Sequence, residues 1–290
     1  MLHVETATAE AGSLGSQQRW SARLELGFAS VGQRTVLAHR SHQGPLRVQK
    51  PFYPEDQVCH VYLLHPPGGM AAQDSLTYWI DLAPQSQALL TTPAAGKVYR
   101  SDGACSEVRQ TLRVASGATL EWLPQETILY GGSVYAQHTE LQMQRDSRVC
   151  FWDTWCLGRP AAGDSYATGT AQQTLRVTVD GVPVVVDRLA WRDADPLLQA
   201  AWGLSGHKVM AQMLLYPADA DTHAQAQAVL AAHGTQPALW AGVTRIDNVL
   251  LLRVMGDTAW RVNALMRECW AALRQAVLGH PPCRPRIWAT

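Results

Sequence analysis

The sequence predicts a mainly β protein whose strands stack in an antiparallel or coiled arrangement, with a few helices mostly in the C-terminal third. Apolar and polar residues alternate in short runs from Trp20 to Leu189, and Gly, Pro or Asp-Ser bound most of the runs. The runs recur about every 8 to 12 residues, a spacing typical of all-β folds. No helical pattern separates them, which argues against βαβ units.

The predicted strands follow one another closely. The first is marked by Leu24, Leu26 and Phe28, which alternate with polar residues or glycine. Further strands are predicted over 58–64, 76–82, 88–92, 108–114, 134–143 and 148–155. A hairpin joins 174–179 to 182–189, because Asp180-Gly181 suits the left-handed torsions of a two-residue turn.

Helices are predicted only after Asp195. Asp195-Pro196 is a cap followed by proline at the first helical position, and Gly203 ends that short helix. A second helix covers 222–233, and the strongest covers 258–278, with one apolar stripe and Asp257 or Thr258 as its cap. Strands return at 209–216 and 249–255.

The predicted organisation is a flexible tail over residues 1–18 and a single β-rich domain over 19–290. Its C-terminal part, from about 195 to 290, carries the helices. The tail is rich in Ala, Ser, Thr and Gln and lacks the basic start and apolar block of a signal peptide.

Composition favours protein partners over nucleic acid or membranes. The formal net charge is zero and no apolar run is long enough to span a bilayer. The chain has only three lysines and has eleven Trp against three Phe, and Arg and Trp are enriched at protein interfaces. Six cysteines are too few for a disulfide scaffold, so we expect a soluble cytoplasmic protein with reduced thiols.

Motifs for permanent metal binding or catalysis are absent from the sequence. Cys150 and Cys156 would lie about 20 Å apart on one strand face, too far to share an ion. There is no Cys-x-x-Cys, His-Glu-x-x-His or Gly-x-Ser-x-Gly, and Gly68-Gly69 lacks the context of a phosphate-binding loop. A weak, transient divalent-cation site remains open.

Carboxylates inside apolar strands are the more informative groups. Asp153 shares a strand face with Phe151 and Trp155, and Asp187 follows three valines and precedes Arg188, which is the expected nearby cation. Each faces solvent or needs a partner, a water-filled cavity or a cation, because burying an unpaired charge is costly. Glu121 raises the same question, as does Glu126 beside Gln125, where Pro124 marks a strand corner that is a structural bend or the mouth of a site.

Five phrases resemble one family. They are HPPGG at 65–69, LTTPAAGKVYRS at 90–101, LEWLPQE at 120–126, LGRPAAGD at 157–164 and PRIW at 285–288. Together and in this order they are similar to the pattern of the urease accessory protein UreD (UreH) family, from about Trp20 to the C terminus. The chain departs from it at 70–73, at Tyr130-Gly131-Gly132, where the family often has Phe-Asp-Gly, and at Asp164, where Glu is usual.

The resemblance implies a non-enzymatic chaperone with a β-helix-like fold. Such a protein joins UreF and the GTPase UreG and docks them on the urease apoprotein for nickel delivery, as a dimer of heterotrimeric complexes. No cofactor is bound permanently, although Ni²⁺ can bind transiently in a polar internal passage. Candidate passage residues are Asp153, Asp187, Glu126 and Thr92, and the family-motif residues are His65, Gly68, Gly69, Lys97, Tyr99, Arg100, Glu121, Pro124, Gln125, Gly158 and Arg159.

A second hypothesis is a β-solenoid hydrolase or lyase acting on a polymer. Asp153, Asp187 or Glu126 would then form an acid–base pair along an open groove. Enclosed carboxylates favour the first hypothesis, and carboxylates along an open cleft favour the second.

Overall fold

A computed structural model describes residues 20–234 and 238–289, so the predicted tail at 1–18 lies outside the described residues. The strands in chain order are β1 (Ser21–Val31), β2 (Arg34–Gln43), β3 (Arg47–Val48), β4 (Cys59–Leu64), β5 (Ser75–Leu82), β6 (Gln87–Thr91), β7 (Gly96–Val98), β8 (Ser106–Val114), β9 (Thr119–Trp122), β10 (Thr127–Leu129), β11 (Val134–Met143), β12 (Arg148–Leu157), β13 (Thr170–Val179), β14 (Val182–Trp191), β15 (Val209–Tyr216), β16 (Leu239–Ile246) and β17 (Val249–Gly256). The helices are α1 (Ala220–His233) and α2 (Ala259–Leu278).

Two sheets face each other and the chain alternates between them. The first sheet has the order β14-β13-β11-β8-β5-β1-β2, and the second has the order β16-β17-β15-β12-β9-β6-β4-β3. The short strands β7 and β10 pair with each other, and β10 also pairs with β12. Strands β5 to β7, β8 to β10 and β11 to β12 therefore form successive coils of a solenoid-like stack, which confirms the predicted mainly β, stacked fold.

Of the two expected arrangements, the coiled one describes the centre of the molecule and the antiparallel one its flanks. Strands β1, β5, β8, β11 and β13 pair in parallel, as do β4, β6, β9 and β12. Antiparallel pairing is confined to the flanks, including the predicted Asp180-Gly181 hairpin between β13 and β14. Both hairpin residues have positive φ angles, 49° and 80°, as a two-residue turn of this kind requires.

The main core lies between the two sheets. One ladder of inward-facing residues joins five parallel strands and is almost fully buried: Leu26, Ile80, Leu112, Leu141 and Val177. Phe151 and Trp155 of β12 face them from the second sheet. Alternating apolar residues on both sheets therefore meet across this layer, as the sequence pattern requires.

A second core lies on the other face of the second sheet, beneath α1 and α2. The apolar stripe of α2, including Val262, Met266 and Cys269, packs there with Cys150 and Cys156 of β12. Among residues 20–234 and 238–289, neither helix is long and apolar enough to cross a bilayer.

Three local expectations need correction. The helix expected from Pro196 to Gly203 is a three-residue 3-10 helix, Pro196–Leu198, followed by turns, although Asp195 does cap it by accepting from the Leu197 N–H. Helix α2 follows Thr258, but the Thr258 side chain makes no capping bond, and Asp257 instead bonds His207 at 2.7 Å. Strands β2 and β16 were not anticipated, because most of their residues are exposed and show no clear alternation.

Candidate functional site

Two cavities lie between the sheets, and Asp153 lines both. The larger, about 520 Å³, lies near β14 and β17 and is also lined by Asp187, Gln173 and Gln212. The smaller, about 170 Å³, lies towards β7 and the corner at Pro124. Asp153 therefore stands at the boundary between the two cavities in the inter-sheet layer.

The Asp153 carboxylate is buried, and no ion-pair partner lies beside it in the part of the chain that the structure describes. Its residue is 5% exposed, and one oxygen, Oδ2, accepts hydrogen bonds from Gln137 Nε2 at 2.5 Å and Gln173 Nε2 at 2.6 Å. The Tyr135 hydroxyl donates to Gln137 at 2.8 Å and so helps to orient that amide. Burial raises the pKa of Asp153 to about 6, and the two glutamine hydrogen bonds oppose this rise.

The two glutamines come from a ladder that the sequence analysis did not single out. Gln137 of β11 pairs in register with Gln173 of β13, and on the neighbouring ladder Thr139 donates to Gln110 of β8 at 3.0 Å. All four side chains point inwards and are buried. The sequence did contain a signal for these four residues, because each stands at a strand position where the alternation predicts an inward-facing apolar residue. A polar residue at such a position needs a buried hydrogen-bond partner.

Asp187 lies at the edge of the larger cavity and joins the two sheets. Its Oδ2 accepts from Arg253 Nη2 of β17 at 2.9 Å, and both side chains are partly exposed. The sequence suggested Arg188 as the nearby cation, and the ion pair is instead made with Arg253. Arg188 lines the same cavity but is not the ion-pair partner.

The mouth of the larger cavity is aromatic. Trp202 is 75% exposed and Trp240, on the edge strand β16, packs its ring 5.3 Å from His207. Both Trp residues line the cavity. Exposed Trp around a cavity is a feature of surfaces that bind other proteins.

The other two passage candidates are separated. Thr92 lines the smaller cavity, and its hydroxyl accepts from the Gln125 N–H at 2.9 Å. Glu126 lines neither cavity, because its carboxylate turns towards α2 and accepts from Asn263 Nδ2 at 2.8 Å. The structure therefore does not bring Glu126 together with Asp153.

The family-motif residues divide into three groups. One group lines the smaller cavity and consists of His65, Gly68, Lys97, Pro124 and Gln125. Burial lowers the pKa of His65, and the nearby Asp74 opposes that shift. A second group lies in the segments that follow β4, β7 and β12 and consists of Gly69, Tyr99, Arg100, Gly158 and Arg159; the two glycines are buried and the other three residues are exposed.

Glu121 is the third case, a buried anchor for α2. The Arg274 guanidinium lies between two carboxylates. Its Nη2 is 2.7 Å from Glu121 Oε1, and its Nη1 is 2.5 Å from Glu55 Oε2. Trp270 Nε1 donates to Glu121 at 2.7 Å, and His60 Nε2 contacts Glu55 at 2.6 Å. These contacts stabilise the ionised forms, so the pKa of Glu55 is lowered and that of Arg274 is raised, although burial alone would shift both the other way.

Metal-ligating side chains do not gather into a site within residues 20–234 and 238–289: no group of three or more His, Cys, Asp or Glu could hold an ion. All six cysteines are free thiols. Cys150 and Cys156 lie in the core beneath the helices, where burial raises the pKa of both thiols and keeps them protonated.

Comparison with known proteins places the chain in a family. Residues 21–289 match the family model described as UreD urease accessory protein. Proteins named urease accessory protein UreD from Alkalilimnicola ehrlichii, Citrobacter koseri and Klebsiella aerogenes are 42%, 41% and 40% identical. The matches cover 93% of this chain in each case, and 92%, 92% and 97% of the three relatives. The chain therefore belongs to the UreD family and is an accessory protein of urease maturation rather than an enzyme.

Proposed function

We propose that the chain bridges UreF and UreG to the urease apoprotein and assists nickel insertion by letting Ni²⁺ pass through the inter-sheet space. The observation that carries this proposal is the position of Asp153, which lines both the 520 Å³ cavity and the 170 Å³ cavity. An ion that entered one cavity would meet this carboxylate before reaching the other.

The chemistry of the lining supports transit rather than storage. Asp153 offers carboxylate oxygens, and Gln137 and Gln173 place amide groups around it. With a pKa of about 6, Asp153 is mostly ionised at pH 7. A few oxygen ligands without a thiolate or imidazole cluster bind a divalent transition metal weakly, so the ion can move on.

The bridging role is supported by the surface at the larger cavity. Trp202 and Trp240 expose aromatic area beside the partly exposed Asp187–Arg253 ion pair. A partner docked there would cover the mouth and receive or deliver an ion at Asp187. The dimer of heterotrimeric complexes with UreF and UreG is part of the same proposal.

The alternative of a polymer-acting enzyme is wrong, since the family consists of urease accessory proteins. The geometry also lacks what that chemistry needs. Asp153 is enclosed between the sheets, Asp187 is held by Arg253, and Glu126 faces α2. Asp153 and Asp187 line the same cavity, but the first is hydrogen-bonded by two glutamines and the second is ion-paired, so neither serves the other as acid or base.

The test is the double variant Asp153→Asn with Asp187→Asn. Asn keeps the shape of each side chain and can still accept hydrogen bonds, but it removes the charge that a passing cation needs. We expect intact complexes with UreF, UreG and urease, and urease with a low nickel content. The measurements are co-purification and the nickel content of the urease produced in cells.

Glu140→Gln is the matched control, because it removes a carboxylate from the exposed face of the first sheet. It should leave nickel loading unchanged. Full nickel loading with the double variant would contradict the passage, and failure of the wild-type chain to bind any of the three partners would contradict the bridging role.

A further inference from the structure

Several motif residues that the passage does not use meet at one place on the surface. Gly69, Tyr99, Arg100, Tyr130 and Arg159 form what we call the Tyr-Arg cluster. The Arg159 guanidinium carbon lies 3.8 Å above the Tyr130 ring, and the Tyr130 ring packs edge-on against Tyr99 with 5.2 Å between centroids. A Cβ at Gly69 would lie 2.5 Å from Tyr99, so glycine is what lets this ring lie flat against the backbone.

The cluster carries more positive than negative charge. Arg100 Nε contacts the Gly131 carbonyl at 3.4 Å, and its guanidinium has no ion-pair partner in the described ranges. The carboxylate that lines the pocket of Arg100 and Arg159, Asp164, accepts from the backbone N–H groups of Gly131 and Tyr166 at 3.0 and 3.1 Å. Arg159 lies 3.6 Å from it, so Asp164 is already satisfied and leaves Arg100 available.

Glycine at position 131 makes room for the Asp164 carboxylate beside the two arginines. A Cβ there would lie 2.7 Å from Asp164 Oδ1, so the Asp164 carboxylate occupies the space of a side chain at 131. The pocket lined by Arg100 and Arg159 consequently has two guanidinium groups and one carboxylate.

Two shallow pockets adjoin the cluster and differ in character. One, of about 450 Å³, is lined by Arg100, Tyr130 and Arg159. The other, of about 400 Å³, is largely apolar and is lined by Trp20, Pro67, Gly69, Ala71, Ala72, Asp74 and Tyr99. The Asp74 carboxylate is buried and accepts from the backbone N–H groups of Trp20 and Ala71 at 3.2 and 2.8 Å. Tyr99 lines the apolar pocket and touches Tyr130 of the cationic one, so the two pockets form one surface.

We propose that the Tyr-Arg cluster is a docking site for a protein segment that carries an acidic side chain close to an apolar one. The acidic group pairs with the free Arg100 guanidinium, which can bind a carboxylate through two parallel hydrogen bonds. The apolar group enters the pocket of Trp20 and Tyr99. Exposed Tyr, Trp and Arg are the residue types that dominate the energetics of protein interfaces.

A protein segment fits better than a small anion. The pocket lined by Arg100 and Arg159 has a formal net charge of about +1, because Asp164 offsets one of the two guanidinium groups. The pocket is open to solvent, so a free phosphate there would stay hydrated and screened. The adjoining apolar pocket cannot stabilise an inorganic anion, but an apolar side chain of a polypeptide gains buried area there.

The experiment rests on the proposed function, because its probes are purified UreF, UreG and urease apoprotein. The affinity of the full-length chain for each protein is measured by biolayer interferometry at low and high salt, for the wild type, Arg100→Glu, Trp20→Ser and Arg40→Gln. Arg40 is an exposed arginine on β2 outside the cluster and serves as the matched control.

We expect Arg100→Glu to weaken binding of one partner by about tenfold or more, with a reduced salt dependence. Trp20→Ser should weaken the same partner, and Arg40→Gln should bind like the wild type.

Each outcome decides between the two proposals. Unchanged affinity of Arg100→Glu for a partner that the wild type binds would overturn the docking site and leave the bridging role standing. No binding of the wild type to any of the three proteins would overturn both. A further measurement is calorimetry with inorganic phosphate. If Arg100→Glu abolishes phosphate binding but leaves the affinity for the protein partners unchanged, the cluster is a small-anion site instead. If Arg100→Glu changes the circular dichroism spectrum, Arg100→Gln takes its place, with the same criterion.

Discussion

Asp153 and Glu121 lie on neighbouring strands of the second sheet, are both almost fully buried, and are stabilised in opposite ways. Glu121 has the Arg274 guanidinium and the Trp270 indole as partners. Asp153 instead accepts neutral hydrogen bonds, chiefly from two glutamine amides, and its pKa rises to about 6. A carboxylate kept in this setting reduces stability at neutral pH, which is typical of residues retained for function.

The first prediction concerns the pH dependence of stability at Asp153. Because its folded-state pKa of about 6 lies above the ordinary value of 3.8, its favourable contribution is present at low pH and is lost as pH rises through about 6. We expect Asp153→Asn to raise the free energy of unfolding at pH 7, by up to about 3 kcal/mol, and to differ little from the wild type at pH 4. Urea denaturation at both pH values measures this.

Asp187→Asn is the comparison at the residue scale. Its ion pair with Arg253 is partly exposed, so its loss should change the free energy of unfolding by at most about 1 kcal/mol. If Asp153→Asn were no more stable than the wild type at pH 7, the burial of an ionised Asp153 would be refuted.

At the scale of single elements, helix α2 is attached to the second sheet by both apolar packing and one ionic contact. Its stripe packs on β12, β15 and β17, and Arg274 reaches through it to Glu121 and Glu55. Arg274 is 0% exposed, so removal of its charge leaves two carboxylates without their cation.

We therefore predict that Arg274→Met destabilises the protein by about 3 to 5 kcal/mol, because it leaves buried charges unpaired. Arg261→Met, at an exposed position of the same helix, should change stability by less than about 1 kcal/mol. Thermal or urea unfolding of both variants is the measurement. A cost for Arg274→Met as small as that of the control would show that the ionic contact does not hold the helix.

At the scale of the whole molecule, stability should be unevenly distributed across the stack. Strand β12 lies between β9 and β15 and is buried on both faces. Strand β16 is the edge of the same sheet, pairs with β17 on one side and is mostly exposed. Edge strands open locally, whereas central strands exchange their amide hydrogens only through larger unfolding events.

Hydrogen exchange followed by mass spectrometry tests this distribution. We expect peptides from β12 and β15 to be among the slowest to exchange and peptides from β16 to exchange orders of magnitude faster. Equal protection of β12 and β16 would contradict the arrangement. Adding a partner that docks at Trp202 and Trp240 should then slow exchange in β16 selectively.

The sequence by itself determined the positions of most strands, the hairpin at Asp180-Gly181, both long helices and the mainly β class. These features depend on alternation, helical periodicity and turn residues, which act over a few neighbouring positions. The family followed from five short phrases, and the match over residues 21–289 confirms it. The edge strands β2 and β16 were not predicted, because they are held by backbone pairing and have no buried face that would show as alternation.

Only the tertiary structure decided which strands pair in parallel and which side chains meet. Arg274 lies 153 positions from Glu121, and Arg253 lies 66 positions from Asp187, so neither pair leaves a local signal, and the sequence pointed to Arg188 instead. The coils place Gln137 and Gln173 beside each other and opposite Asp153. The same coils turn Glu126 towards α2, away from Asp153. Parallel pairing joins strands that lie about one coil apart in the chain. Which strands pair depends on how side chains fill the space between the two sheets, and no short stretch of sequence specifies that packing.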